Sequence, residues 1–333
     1  MGKKFRIICN KDEVRLDVFL SEKLSITRTK IKALIEEGHI RIAGKLSKPS
    51  SKVKRSMEIE GEILEEEPLT LIPQAIPLNI LYEDEYILAI DKPVGMVVHP
   101  SFGHKEGTLV NAILAYLINQ HSVFSIQHSA SIPQSAIPGH ALRGSRAGRN
   151  PQLNMRPGIV HRLDKGTTGV ILVAKDTKTQ EMLSALFKER GVYKTYRAIV
   201  EGIVKKEEGR IEGNVGRHPT DRKRMAVLKE GGRDALTFFK VVARLNGFTY
   251  IEAYPKTGRT HQIRVHLAHT GHPIVGDDLY GKKSRNMAER PLLHAYKIEF
   301  KHPVKGTPIS IEAPVPEDIK EFVKNSKTLG SRQ

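Results

Sequence analysis

The sequence predicts an α+β fold, with a small N-terminal α/β domain followed by a larger domain. The larger one is expected to carry a mixed, mainly antiparallel sheet flanked by helices and loops. Three observations carry this reading. The chain has 333 residues, enough for about two domains. Strand-like runs outnumber helix-like ones, and several are joined by hairpin signals such as Asn246-Gly247. The stretch Glu65-Glu66-Glu67-Pro68, with Pro73 and Pro77 behind it, reads as an extended tether. It separates a zone over residues 12–72 from one over 73–318, and residues 319–333 read as a C-terminal tail.

In the first zone, Val14, Leu16, Val18, Phe19, Leu20 and Leu24 form the apolar pattern of a short helix. Thr27 is placed to N-cap a second helix, in which Ile31, Leu34 and Ile35 fall at i, i+3 and i+4, and Gly38 ends it. The alternating stretches 39–42 and 57–60 read as small strands. Between them lie Lys45, Lys48, Lys52, Lys54 and Arg55. A helix pair with a small basic β-unit suits a phosphate backbone. The same charges serve equally well as a solvated surface.

In the second zone, residues 86–90 read as a buried strand closed by Asp91-Lys92-Pro93. Residues 158–176 read strand–loop–strand around Gly166-Thr167-Thr168-Gly169. Residues 177–190 have helical spacing through Met182, Leu183, Leu186 and Phe187, ending at Gly191. Residues 193–204 form a strand, 236–254 a hairpin about Asn246-Gly247, and 292–313 a hairpin about Lys305-Gly306. Residues 260–269 form a helix that ends at Gly271. Residues 119–155, rich in Ser, Pro, Gly, Gln and Arg with little periodicity, are expected to be a loop or disordered insert.

Charge narrows the function classes. Lys and Arg number 54 against 37 Asp and Glu, a net charge of +17, with an isoelectric point near 9.8. A chain this basic suits a polyanion. The one cysteine, Cys9, excludes an internal disulfide framework and multi-cysteine zinc or iron–sulfur sites, and fits a reducing compartment. No apolar run approaches the roughly 20 residues that span a bilayer. The basic N-terminus is not followed by an apolar stretch, so a cytoplasmic location is expected.

Three clusters carry chemistry. In His161-Arg162-Leu163-Asp164-Lys165-Gly166-Thr167-Thr168-Gly169, an acid sits in a loop between two buried strands, held rigidly and partly shielded from water. Taken alone, Asp164 serves equally as a turn cap. In Gly258-Arg259-Thr260-His261-Gln262-Ile263-Arg264-Val265-His266, a helix opening at Thr260 or His261 places His261 and Arg264 on one face. Such an arginine binds phosphate, holds a carboxylate, or simply meets solvent. Alternation puts Lys194, Tyr196 and Ala198 on one strand face, where Tyr196 stacks on a base or fills the core.

Together these strings resemble the motifs of the RluA/RluD-type pseudouridine synthases. The resemblance extends to Lys194-Thr195-Tyr196, to Asp91-Lys92-Pro93-Val94-Gly95-Met96-Val97-Val98-His99-Pro100, and to Gly271-His272-Pro273-Ile274 with Gly276-Asp277-Asp278-Leu279-Tyr280-Gly281. The N-terminal zone, from Arg15-Leu16-Asp17 to Ile42-Ala43-Gly44-Lys45, resembles an S4 RNA-binding domain. The similarity covers about residues 12–318, in the family's order. It implies an isomerase that detaches uracil from C1′ of ribose, turns it and rejoins it through C5, with the base flipped out of its stack. No redox cofactor and no metal are implied.

By the same resemblance, Asp164 is the essential carboxylate, as nucleophile or as a group assisting cleavage and deprotonation. Arg264 pairs with it, and Tyr196 stacks on the target uracil. Arg162 fills the gap left by the flipped base, and His161 contacts RNA or makes a structural hydrogen bond. Lys45, Lys48, Lys52, Lys54 and Arg55 of the S4-like domain bind RNA. His261, Gln262 and His266 read mostly as structural. The implied partner is large-subunit (23S) ribosomal RNA or a pre-ribosomal particle, with no membrane and with a monomeric enzyme. Two departures stand out: the insert at 119–155 is long, and Lys54-Arg55-Ser56-Met57 stands where a Gly-Asp pair is usual. Two rival readings are an RNA-binding protein that aids ribosome assembly without chemistry, and a metal-dependent nuclease or phosphotransferase using Asp277-Asp278.

Overall fold

In the computed structural model, residues 2–63, 72–100, 106–129, 158–281, 283–284 and 286–328 are described. The tether Glu65–Pro68 and residues 130–155 of the expected insert lie outside them. The chain divides into two units after Thr70.

The first unit runs β1 (Lys3–Ile8), β2 (Val14–Arg15), α1 (Leu16–Leu24), α2 (Arg28–Glu36), β3 (Ile40–Ile42), β4 (Lys45–Leu46), β5 (Lys52–Val53) and β6 (Glu58–Ile63). Its main sheet has the order β1-β6-β3-β4, and β2 pairs with β5. Strand β1, ahead of the expected start at residue 12, pairs with β6 over six residues. Of the apolar positions that mark α1 and α2 in the sequence, Leu16, Phe19, Leu20, Ile31, Leu34 and Ile35 are buried and close over Ile40, Val53 and Ile59, while Val14, Val18 and Leu24 are only partly buried. Each fully buried side chain of this kind is worth about 1.5–3 kcal/mol. Ser56 adopts φ +69° at the turn into β6, holding a left-handed conformation that glycine would adopt without penalty.

The second unit follows as β7 (Ile80–Glu83), β8 (Ile87–Lys92), α3 (Leu109–Ser129), β9 (Gly158–Ile159), β10 (Thr168–Ala174), α4 (Thr177–Lys188), β11 (Val192–Glu201), β12 (Glu208–Arg217), β13 (Met225–Leu228), β14 (Arg233–Arg244), β15 (Phe248–Pro255), α5 (Gln262–His269), β16 (Leu293–Lys301), β17 (Pro308–Glu312) and α6 (Glu317–Thr328). Its sheet has the order β13-β12-β14-β15-β11-β16-β10-β8-β7, with β17 on β16 and β9 on β10. Among the described strand pairs only β10 with β16 is parallel, so the sheet is mixed and mainly antiparallel.

Two expectations are corrected here. Residues 119–129 continue helix α3 instead of forming a loop. The expected tail at 319–333 is, as far as Thr328, most of helix α6, whose Ile319, Phe322 and Val323 join a core with Tyr250 and Leu292. The apolar positions at i, i+3 and i+4 supply the physical reason: a helix with one greasy stripe buries it.

Strand β16 places the site. It gives one edge to β11 and divides the other between β10 at His294 and Ala295 and β17 from Lys297 onward. A bulge lies opposite Thr195 and Tyr196, the kind of irregularity that re-aims side chains. The loop before β10 therefore ends where two strands meet briefly and part. Gly169 makes that approach possible: it has φ +107°, and a Cβ there would lie 2.2 Å from the Ala295 carbonyl oxygen.

Candidate active site

Asp164 lies in the loop between β9 and β10. The loop is tied down from several directions. The Thr167 N–H donates to the Asp164 carbonyl at 3.0 Å, and the Gly95 N–H to the Lys165 carbonyl at 3.0 Å. Arg290 Nη1 donates to the Gly166 carbonyl at 3.2 Å. Lys92 turns inward and gives its ammonium to the carbonyls of Pro93, Met96 and Lys165, at 2.8, 3.0 and 3.4 Å. Burial pushes the Lys92 amine down to about 8, and the nearby Asp164 charge opposes that fall.

Arg264 reaches the same point from α5. The helix starts after His261, which takes φ +55°, and its first turn projects Arg264 inward. Buried Asp277 accepts from Nε and Nη2 of Arg264 at 2.7 and 2.8 Å. The same carboxylate accepts the backbone N–H groups of Leu279 and Tyr280 at 3.0 and 3.1 Å. The guanidinium is thus fixed by a two-pronged pair and presents Nη1 to Asp164 Oδ2 at 3.2 Å. With its lone pairs engaged in this way, Asp277 stands as the anchor of Arg264, not as half of a metal-binding pair with Asp278.

Two adjoining cavities of about 690 and 660 Å³ share Arg162, Asp164, His261 and Arg264 in their walls. Lys165 and Arg290 add positive charge to the first, where Asp278 and Glu289 oppose it, and Lys188, Lys194, Lys256 and Arg259 add positive charge to the second. Tyr196 lines the second cavity. Its hydroxyl has no hydrogen-bond partner among the described residues. Burial first, and then the Asp164 charge, raise its pKa, so the phenol stays protonated. Lys194, two residues earlier on the strand, is pushed down to about 8 by burial.

The remaining sequence candidates divide. Arg162 is exposed at the mouth of both cavities. His161 is committed to the fold: Nε2 accepts the Leu172 N–H at 2.8 Å, and the ring stacks on Phe187 with centroids 4.9 Å apart. Burial, and then Lys194, depress its pKa to about 3, so it meets the cavity as a neutral ring. Gln262 bonds Thr257, Arg259, Leu236 and Thr237, and His266 faces Thr237 at 3.0 Å. Lys45, Lys48, Lys52, Lys54 and Arg55 are spread over the first unit, on or beside its small strands β4 and β5. Glu13 meets Lys52 and Lys54 at 2.8 and 3.4 Å, and Asp12 meets Arg55 at 3.4 Å. Lys45 and Lys48 have no acidic partner among the described residues.

Lys92 and His261 carry little signal in the sequence. In the sequence Lys92 stands at a strand end within the 91–100 string and His261 shares a helix face with Arg264, but neither position shows what the side chain holds. His261 Nδ1 lies 3.0 Å from the Tyr280 hydroxyl, which also accepts the Met225 N–H at 2.8 Å. Its Nε2 lies 3.8 Å from Asp164 Oδ2. Because these interactions join residues far apart in the chain, no local spacing announces them.

Comparison with known proteins agrees with the geometry. A family model described as RNA pseudouridylate synthase matches residues 86–269, and an S4 domain model matches residues 14–59. A protein of Aquifex aeolicus named an uncharacterized RNA pseudouridine synthase is 40% identical over 321 residues, covering 93% of this chain and 92% of its own. Ribosomal large subunit pseudouridine synthase D of Neisseria meningitidis serogroup A is 37% identical over 318 residues, covering 92% and 76%. The solved human RNA Pseudouridylate Synthase Domain Containing 4 shares the fold, with a TM-score of 0.54 at 22% identity over 74% of this chain and 92% of that one. The chain therefore belongs to the RNA pseudouridylate synthase family: it is an RNA pseudouridine synthase, an isomerase, and carries an S4 domain.

Proposed function

We propose that this enzyme converts uridine to pseudouridine in large-subunit ribosomal RNA, with Asp164 as the essential carboxylate acting on a nucleotide flipped into the cleft. The observation that carries the reading is the Asp164–Arg264 pair at the junction of two cavities, the second rich in basic side chains. A guanidinium fixed by Asp277 sets its charge against the carboxylate and holds its orientation. Both the nucleophilic role at C1′ and the assisting role need that orientation. The ribosomal substrate is supported by the relatives named ribosomal large subunit pseudouridine synthase D, at 34–37% identity.

Within this reading, Tyr196 stacks on the uracil as a neutral phenol. Arg162 occupies the space the base leaves, since a planar guanidinium substitutes well in a stack. The S4 domain adds phosphate contacts, foremost through Lys45 and Lys48, whose charges no acid offsets among the described residues. The reaction is redox-neutral and proceeds without a cofactor. It takes place on ribosomal RNA or a pre-ribosomal particle in the cytoplasm, with one copy of the chain per site.

Pseudouridine mapping tests the reading. Ribosomal RNA from cells lacking the gene is compared with RNA from cells complemented by the wild type or by Asp164→Asn. Large-subunit positions that lose the modification should regain it with the wild type alone. Restoration by Asp164→Asn, or loss confined to another RNA class, rejects it.

A further inference from the structure

We propose that His261 is a further catalytic residue, the group that accepts the proton leaving C5 of the uracil ring. The inference rests on the reading of Asp164 given above. The chemistry calls for such a group. The C1′–N1 bond breaks, the C1′–C5 bond forms, and C5 then carries both the new bond and its original hydrogen. The electron pair of the C5–H bond must return to the ring, and the proton must go to a base. N1 takes one proton from water and the imidazolium returns one to water, so the balance closes without any co-reactant.

His261 is positioned for this step and its neighbours are not. Its ring is in the wall of both cavities, and its Nε2 lies 3.8 Å from the carboxylate placed to act at C1′. The Tyr280 hydroxyl, itself anchored by the Met225 N–H, holds Nδ1. Donation by Nδ1–H to that hydroxyl oxygen leaves the Nε2 lone pair facing the nucleotide. Tyr196 keeps its proton and is a poor base. Arg264 is permanently charged, and Lys92 commits its ammonium to three carbonyls. The groups facing His261 are Asp164, Arg264, Asp277, Arg162 and Tyr280. Burial outweighs the nearby acids and lowers its pKa from the ordinary imidazole value, so at neutral pH the ring is neutral and free to accept. Asp164 then stabilises the transient imidazolium.

The test uses His261→Asn, because asparagine tolerates the left-handed backbone found at this position. Two RNA substrates are compared in single-turnover reactions, one with uridine and one with 5-fluorouridine at the target. Fluorine leaves no C5 proton to remove, so only the earlier steps are read. The variant should lose on the order of 10²-fold on uridine while rearranging 5-fluorouridine at the wild-type rate. A primary isotope effect should appear with 5-deuterouridine. In the wild type, the acid limb of the uridine pH profile should fall below the ordinary imidazole range, and the variant should lack it.

Equal loss on both substrates by a folded variant, or no loss on either, overturns the proposal. Where thermal unfolding shows that Asn does not hold the fold, Tyr280→Phe carries the same test through the freed Nδ1, with a smaller but still uridine-selective loss expected. Asp164→Asn should fail on both substrates. If it does not, the reading of Asp164 fails, which is a separate result.

Discussion

A buried arginine is stable only when its donors are used. Arg264 satisfies two sides of its guanidinium on Asp277 and turns the third to Asp164. Removing Asp277 leaves a buried cation with much less compensation, a change that commonly costs about 3–5 kcal/mol. Asp277→Ala is therefore expected to unfold at clearly lower urea concentration and to lose activity, although Asp277 is not expected to touch the nucleotide. Full stability in that variant would contradict the anchoring role. The pairing of Arg264 with Asp164 is legible from the two motifs. The anchor is not, because Asp277 reads in the sequence as one of two adjacent acids and only the fold brings it beneath Arg264. The contacts of His261 with Tyr280 and Asp164 are hidden for the same reason.

The brief parallel pairing of β10 with β16 is the element that sets the site. It depends on Gly169, where any side chain meets the Ala295 carbonyl and the backbone is left-handed besides. Gly169→Ala should destabilise the protein by about 3 kcal/mol, read as a lower denaturant midpoint. An unchanged midpoint would mean the junction is looser than described. At this scale the sequence is most informative where periodicity and turn chemistry agree. The Asn246-Gly247 and Lys305-Gly306 hairpins, the α2 stripe and the helix after Asp176 all emerge as expected. It is least informative where polar composition masks a helix, as in the second half of α3. In α6 the stripe of Ile319, Phe322 and Val323 is present but follows a proline-rich approach and reads as a tail.

At the scale of the whole molecule, titration and charge give two further expectations. His161, His266 and His294 are held neutral by burial, with pKa values pushed down to about 3, 4 and 4. Unfolded histidines titrate near 6.5, so between that value and about 4 the unfolded chain binds more protons than the folded one. Stability should therefore fall as pH drops through that window, by at most about 1.4 kcal/mol per pH unit for each fully buried ring. Denaturant midpoints at pH 7, 6 and 5 check this, and a flat or rising series would contradict it. The net charge of +17 points to a polyanion without saying which basic residues meet it. Their acidic neighbours in the fold rank them. Replacing Lys45 and Lys48 by Ala should weaken RNA binding and lower the slope of log K against log salt by about 1 for each phosphate no longer neutralised. Replacing Lys54 and Arg55, which Glu13 and Asp12 already offset, should do less. The reverse ranking would reject the role given to Lys45 and Lys48.

The central claim is that the Asp164 carboxylate, oriented by Arg264, performs the isomerisation. The most direct measurement is pseudouridine formed per enzyme molecule in large-subunit ribosomal RNA by purified wild type and Asp164→Asn, with RNA affinity measured alongside. The expected result is turnover by the wild type and no product from the variant, with both binding RNA equally. Product formed by Asp164→Asn at a rate near that of the wild type would contradict it.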